Sequence, residues 1–355
     1  YRNTLKPFYG VLKTMDGYIK LGFLTGVTKF GKVSVFSDLN NLKDISMRRD
    51  YIDICGITDK ELHRYFDKDL HTLADVQGLD YETVCLEVQK RYDGYHFNFN
   101  TPGIYNPFSL LNTFDAMAFG SYWFATGTPA YLVYLLKKHH YRLEEIEKVE
   151  VTEDVLDSID SEGTNPIPVI YQSGYLTIKD YDPEFGLYTL DYPNREVEEG
   201  FVKYLMPFYI DKSEAEAPFE IRRFVGEVRN GNIDGFFHRL QSFFADAPYE
   251  VIVGQDPVRN VELFFQNVLF IVFRLAGFYT QVEYHTSRGR IDLVLKTDKF
   301  IYVMEFKQGA TAEEALAQIN EKGYADAFAS DSRTLYKIGV SFSDEQRNIE
   351  RWLAE

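Results

Sequence analysis

Apolar residues recur at helical spacing over 260–276. Val261, Phe264, Phe265, Val268, Val272 and Leu275 share one stripe there, and Gly277 suits the position just past a helix end. The pattern also predicts helices over 58–76, 80–91, 108–118, 129–138, 196–209 and 218–245. Thr58 with Glu61, and Thr311 with Glu314, have capping-box spacing, so helices are predicted to start at both, the second running to about residue 328. Alternating or strand-forming runs predict two strands over 18–36 around a Gly-Thr-Lys loop. They also predict a hairpin from VIYQSGYLTIKDYD and FGLYTLDYPN, a strand over 278–285, and a last strand at LYKIGVSF with a short helix over 344–353. Residues 91–107 are aromatic and turn-rich, and 140–165 are acidic and polar. The charged, Ala-rich stretch DKSEAEAPFE, 211–220, reads as a linker and marks a domain boundary. Beyond it, the order helix, strand, strand, strand, helix, strand predicts an α/β domain with a mixed sheet.

One hairpin in that domain carries charges that need a reason. The stretch GRIDLVLKTDKFIYVMEFK holds two apolar runs, yet Asp292, Glu305 and Lys307 sit inside or against them. Charge in an apolar strand is costly unless paired or bound to a cation. A turn centred on Asp298 and Lys299 pairs Asp292 with Glu305, and like charges directly opposed in a sheet are unfavourable unless a proton or cation intervenes. Period two then puts Glu305 and Lys307 on one face with Val303, leaving Tyr302, Met304 and Phe306 for the core. Two carboxylates with water suit Mg²⁺ or Mn²⁺, and the ammonium beside them suits a phosphate or an attacking water. The plain alternative is a solvated surface hairpin with a weak ion pair. A one-residue slip in register would also dissolve the arrangement.

Composition narrows the partners. The 355 residues are 45% hydrophobic, 26% charged and 16% aromatic, which fits two to three globular domains with large cores. The formal net charge of −16 gives no general attraction for nucleic acid, so such a role must rest on a local basic patch or on metal. Two cysteines, Cys55 and Cys85, make no disulfide framework and point to a reducing cytoplasm. No run is long enough for a membrane span, and no signal-peptide pattern opens the chain. The opening YRNTLKPFYG lacks Met, and the sequence is read as a piece of a longer protein. His139–His140 and the set Cys55, His63, His71 and Cys85 lack metal-site spacing, and the aromatic phrases RYDGYHF and SYWFATG read as core rather than base-stacking surface.

The C-terminal part of the chain, about 218–355, resembles the PD-(D/E)XK nuclease superfamily, in particular the domain found behind a predicted AAA-ATPase-like domain in many bacterial proteins. TSRGRIDLVL, IYVMEFK, EEALAQINEKGYA and IGVSFS carry the likeness. The resemblance implies a restriction-endonuclease-like fold and metal-dependent phosphodiester hydrolysis. Asp292 and Glu305 would hold Mg²⁺ or Mn²⁺, and Lys307 would position water or neutralise the transition state. It also implies a metal-side role for Glu262 on the preceding helix and a catalytic role for Gln318 on the following one. Tyr324 follows Gln318 at a longer spacing than better-known members show. Arg288 and Arg290 are candidates for contacts to a nucleic-acid backbone, or are exposed turn arginines.

Residues 1–210 resemble the later part of the AAA-ATPase-like family, through LTGVTKFGKVSVFSDLNNLKDIS, RYDGYHF, YNPFSLLN, YWFATGTP, QSGYLTI and YPNREV. The implied organisation is a mostly helical ATPase-like lid or linker region with short strands over 1–213, then the nuclease-like domain over 214–355. GVTKFGKV, 26–33, has phosphate-loop spacing but lacks the Ser or Thr that should follow Lys32, so no nucleotide-binding residue is assigned and ATP hydrolysis by this chain is not expected. Thr28 or Lys29 would be a nucleotide sensor at a strand end, or part of a plain strand-loop-strand. Three functional readings follow. The first is a Mg²⁺-dependent nuclease with a regulatory ATPase-like part, with DNA and RNA both open as partner and no membrane. The second is a non-catalytic interaction module that keeps a nuclease-like fold. The third is an ATPase whose nucleotide site lies upstream.

Overall fold

The computed structural model describes residues 2–26, 42–126, 130–157, 165–209, 216–245, 257–277, 281–287 and 290–355. The stretch 26–33 beyond Gly26, with Thr28 and Lys29, lies outside the described residues, as does Arg288. The side chains of Glu262, Arg290 and Asp292 lie outside them too, although their backbones are placed. Contacts divide the chain into two compact units, 1–139 with 145–200 and 140–144 with 201–355.

The first unit is mostly helical. It contains α1 (Arg2–Thr14), α2 (Asp59–Tyr65), α3 (Asp67–Gln77), α4 (Tyr81–Tyr92), α5 (Pro107–Ala116), α6 (Ala130–Lys138), α7 (Glu153–Asp157) and α8 (Ile167–Gln172). Strands β1 (Val149–Thr152), β2 (Thr177–Asp182) and β3 (Leu187–Asp191) form an antiparallel sheet in the order β1-β3-β2. Helix α9 (Arg195–Tyr209) contains the division between the units. Thr58 and Glu61 make the capping box that their spacing predicts. The helix expected over 58–76 breaks at Phe66 into α2 and α3, and the core of this region gathers Leu62, Leu70, Leu73, Val84, Val88 and Tyr92. Three local expectations fail here. Residues 19–26 form no strand. The VIYQ expected in a strand is helix α8, with Pro168 at its first turn, where a missing N–H costs nothing. The polar stretch 140–165 contains β1, whose Val149, Val151 and neighbours find partners on β3.

The second unit places helices on both faces of one mixed sheet. Helices α10 (Ala217–Asn230), α11 (Ile233–Ala245) and α12 (Pro257–Gly277) precede β4 (Gln281–Ser287), β5 (Arg290–Lys296) and β6 (Phe300–Gln308). Helix α13 (Ala312–Lys322), β7 (Thr334–Ser343) and β8 (Asn348–Ala354) follow. Strand order is β4-β5-β6-β7-β8, antiparallel throughout except for β6 with β7. A parallel pair needs a long crossover, and α13 supplies it. On one face Tyr302 donates its hydroxyl to the Val228 carbonyl at 2.6 Å, while Phe306 packs near Phe237, Phe273 and Phe342. On the other, Ile301 and Val303 pack on Leu316 and Ile319 of α13. The segment 140–144 joins this unit because the Asn267 side chain accepts from Leu143 N–H at 3.0 Å and donates to the Tyr141 carbonyl at 3.2 Å.

Part of the expected linker, 217–220, is the start of α10, with Pro218 in its first turn. Helix α13 ends at Lys322 rather than near 328, because Gly323 takes the left-handed conformation (φ +64°) that closes it. The short helix expected over 344–353 is edge strand β8. Arg347, at φ +51°, turns the chain. Helix α11 then clamps the strand: Gln241 donates to the Ile349 carbonyl at 2.8 Å, and the Trp352 indole donates to Asp234 at 2.9 Å. Tertiary pairing overrides helix propensity at this edge.

Candidate active site

The hairpin β5–β6 has the register that a turn at Asp298 and Lys299 requires, and Asp292 and Glu305 are directly opposed. Following the pairings across all five strands gives a row of His285, Asp292, Glu305, Gly339 and Leu353. The next row on the same face is Ser287, Arg290, Lys307, Ser341 and Arg351. His285 holds no place in the sequence pattern that singled out Asp292. Its position beside the acid emerges only when β4 is paired.

Glu305 is fully buried. Its Oε1 accepts a hydrogen bond from Gln318 Nε2 at 2.6 Å, so α13 reaches down onto β6 at the acid itself. The approach is close because the residue beside Glu305 on β7 is Gly339. A Cβ there would overlap the Ala312 carbonyl oxygen and the Leu316 nitrogen. Thr311 fixes the start of α13 through a capping box with Glu314. Lys307 is half-buried and makes no ion pair among the described residues. The structure therefore brings Glu305 and Gln318 together as side chains, and Asp292, Glu305 and Lys307 together in strand register. Glu262 lies on α12 and Arg290 on β5. Tyr324 packs against the apolar cluster of Ile301 and Val303.

Among the described residues, no three His, Cys, Asp or Glu side chains cluster as a metal site. The donor set at β5–β6 still fits a hard divalent cation. A fully buried carboxylate facing a second acid position across the ladder is costly, and an oxygen-liking cation relieves that cost.

The first unit holds a second buried acid that sequence reasoning missed. Glu196, on α9, is 3% exposed and accepts from the Trp123 N–H at 3.0 Å. The phrases singled out in this half converge around it. Tyr92 exchanges hydrogen bonds with Gly120, Tyr95 donates to the Gly174 carbonyl, and Trp123 stacks edge-on with Tyr175. Of these phrases Tyr92 is buried, and Tyr95, Tyr122, Trp123 and Phe124 are half-buried. Burial pushes the Glu196 carboxyl above the ordinary glutamate range, and does the same to Asp93. The folded chain thus holds these protons to higher pH than the unfolded chain. The stability this confers is complete below the ordinary carboxylate range and is lost as pH rises through the raised values. Glu196→Gln is expected to flatten part of that decline. The measurement is the difference in melting temperature between wild type and variant from pH 4.5 to 8. A difference that does not change with pH would count against a raised Glu196.

The sheet order, the crossover helix and the acid-acid-lysine register together define a PD-(D/E)XK-type α/β domain behind a mostly helical region. Family models agree: the PD-(D/E)XK nuclease superfamily matches residues 260–352, and the predicted AAA-ATPase family matches residues 1–36. The chain belongs to the family of predicted AAA-ATPases that carry a PD-(D/E)XK nuclease superfamily domain. It is 32% identical over 363 aligned positions to the "Uncharacterized protein in vnfD 5'region" of Azotobacter chroococcum mcd 1, an alignment covering 100% of this chain and 67% of that protein. No solved structure matches. No helix among the described residues is long and apolar enough to cross a membrane.

Proposed function

We propose that this protein hydrolyses phosphodiester bonds in nucleic acid with Mg²⁺ or Mn²⁺ at the β5–β6 site, in the bacterial cytoplasm. The observation that supports it best is Glu305: a fully buried carboxylate, paired in register with Asp292 and held by Gln318. A bound divalent ion would acidify a water and offset charge building on the phosphate. Asp292 and Glu305 supply the oxygen donors, with Glu262 of α12 as a third acid. Gln318 fixes the orientation of the Glu305 carboxylate by donating to Oε1. Lys307, one strand pitch away on the same face, orients the attacking water or the phosphate. Residues 214–355 carry this activity, and 1–213 are the regulatory ATPase-like portion, without ATP hydrolysis of their own.

The test is incubation of the purified chain with labelled single- and double-stranded DNA and with RNA, in Mg²⁺, in Mn²⁺ and in a chelator. Cleavage in either metal, absent in chelator and absent in Asp292→Ala, is expected. Cleavage that persists in Asp292→Ala and in Lys307→Ala would refute the assignment. Binding without cleavage under any metal would favour the non-catalytic module instead.

A further inference from the structure

We propose that Arg351, on the edge strand β8, is a phosphate-backbone contact of the nucleic acid, held by Glu313 until substrate arrives. The inference rests on the nuclease reading above. Arg351 occupies the same cross-sheet row as Arg290, Lys307 and Ser341. The acids occupy the adjacent row. Basic positions thus recur along one line beside the acid pair, in a chain whose formal net charge is −16. Strands lie about 4.8 Å apart, so Lys307 and Arg351, two strands apart, are separated by roughly 10 Å along that line.

Arg351 is placed to be exchanged rather than locked. Its guanidinium lies 2.8 Å from Glu313, with the two side chains 60% and 52% exposed. An ion pair that open contributes about 0–1 kcal/mol. Glu313 sits in the first turn of α13, where the helix dipole favours a carboxylate with or without the arginine. Phosphate and carboxylate both accept an arginine in fork geometry, and the release of counterions from the nucleic acid tips the exchange toward phosphate. The backbone of Arg351 is held meanwhile by its pairing with Ser341 of β7. The neighbouring Ser341 hydroxyl is buried and donates to the Arg351 carbonyl at 3.4 Å.

The two partners of this pair predict opposite results, which a merely structural ion pair does not. The experiment is fluorescence anisotropy with labelled single-stranded DNA, duplex DNA and RNA, in Ca²⁺, across 50–200 mM salt. Arg351→Gln is expected to weaken binding about eight-fold for duplex and about five-fold for single strands near 0.1 M salt. It should also reduce the slope of log K against log salt by about 0.7 for single strands or 0.9 for duplex. Glu313→Gln is expected to tighten binding and leave the slope in place. If wild type binds and both variants match it, or both shift the same way, the Arg351 assignment falls while the nuclease reading stands. If wild type shows no salt-dependent binding to any of the three probes, both fall.

Discussion

Lys307→Ala is expected to slow metal-dependent cleavage by about 10²–10³-fold while leaving metal binding in place. That is the scale of removing one fixed electrostatic group from a site where charge develops. Lys307 shares a face with Glu305 and is half-buried, which places a fixed ammonium in the row next to the acids. Asp292→Ala should behave differently. It removes an oxygen donor, so both cleavage and ion affinity should fail. Single-turnover rates on a labelled oligonucleotide, alongside Mn²⁺ titration calorimetry, separate the two. Lys307→Arg should recover only part of the rate, since a planar fork does not replace a compact ammonium at close quarters. A Lys307→Ala chain that cleaves within a few-fold of wild type would remove the lysine from the mechanism.

The β5–β6 hairpin was legible in the sequence because its turn is short and its two runs are strongly strand-forming. A fixed turn determines the register, and register determines that Asp292 meets Glu305. The two capping boxes were legible for a similar reason, since Thr58 with Glu61 and Thr311 with Glu314 are local interactions. What stayed hidden depends on distant partners. Strand β8 carries residues of fair helix propensity, and only β7 and α11 make 348–354 a strand. The polar surroundings of β1 conceal a strand that exists because β3 offers it an edge. Glu196 carries no motif that sets it apart from other glutamates on α9. Its burial comes from Trp123 and the aromatic phrases packed around it. Arg351 became visible as a site neighbour only once three strand pairings carried it into line with Lys307.

Gly339→Ala is expected to destabilise the second unit and to impair the site without removing any group proposed to act in it. Gly339 pairs with Glu305 on β7, directly under the first turns of α13. An added Cβ would meet the Ala312 carbonyl oxygen and the Leu316 nitrogen and would lie 2.8 Å from Leu316 Cβ. Two of these are helix backbone atoms, which cannot rotate aside, so α13 must lift as a body. Overpacking of this kind costs about 1–3 kcal/mol. Lifting α13 also breaks the 2.6 Å bond from Gln318 to buried Glu305, which adds about 1–3 kcal/mol for a carboxylate losing its donor. A total of about 2–6 kcal/mol is a large share of an ordinary domain's stability. The urea midpoint should fall accordingly, and cleavage should fall at least as far as in Gln318→Ala, which removes the same bond without moving the helix. Gly309→Ala is the control. Its φ of +71° makes alanine costly there too, but no atom lies within 4 Å of the added Cβ, so α13 keeps its place. If Gly339→Ala matches Gly309→Ala in both stability and cleavage, close seating of α13 is not what holds Glu305 in position.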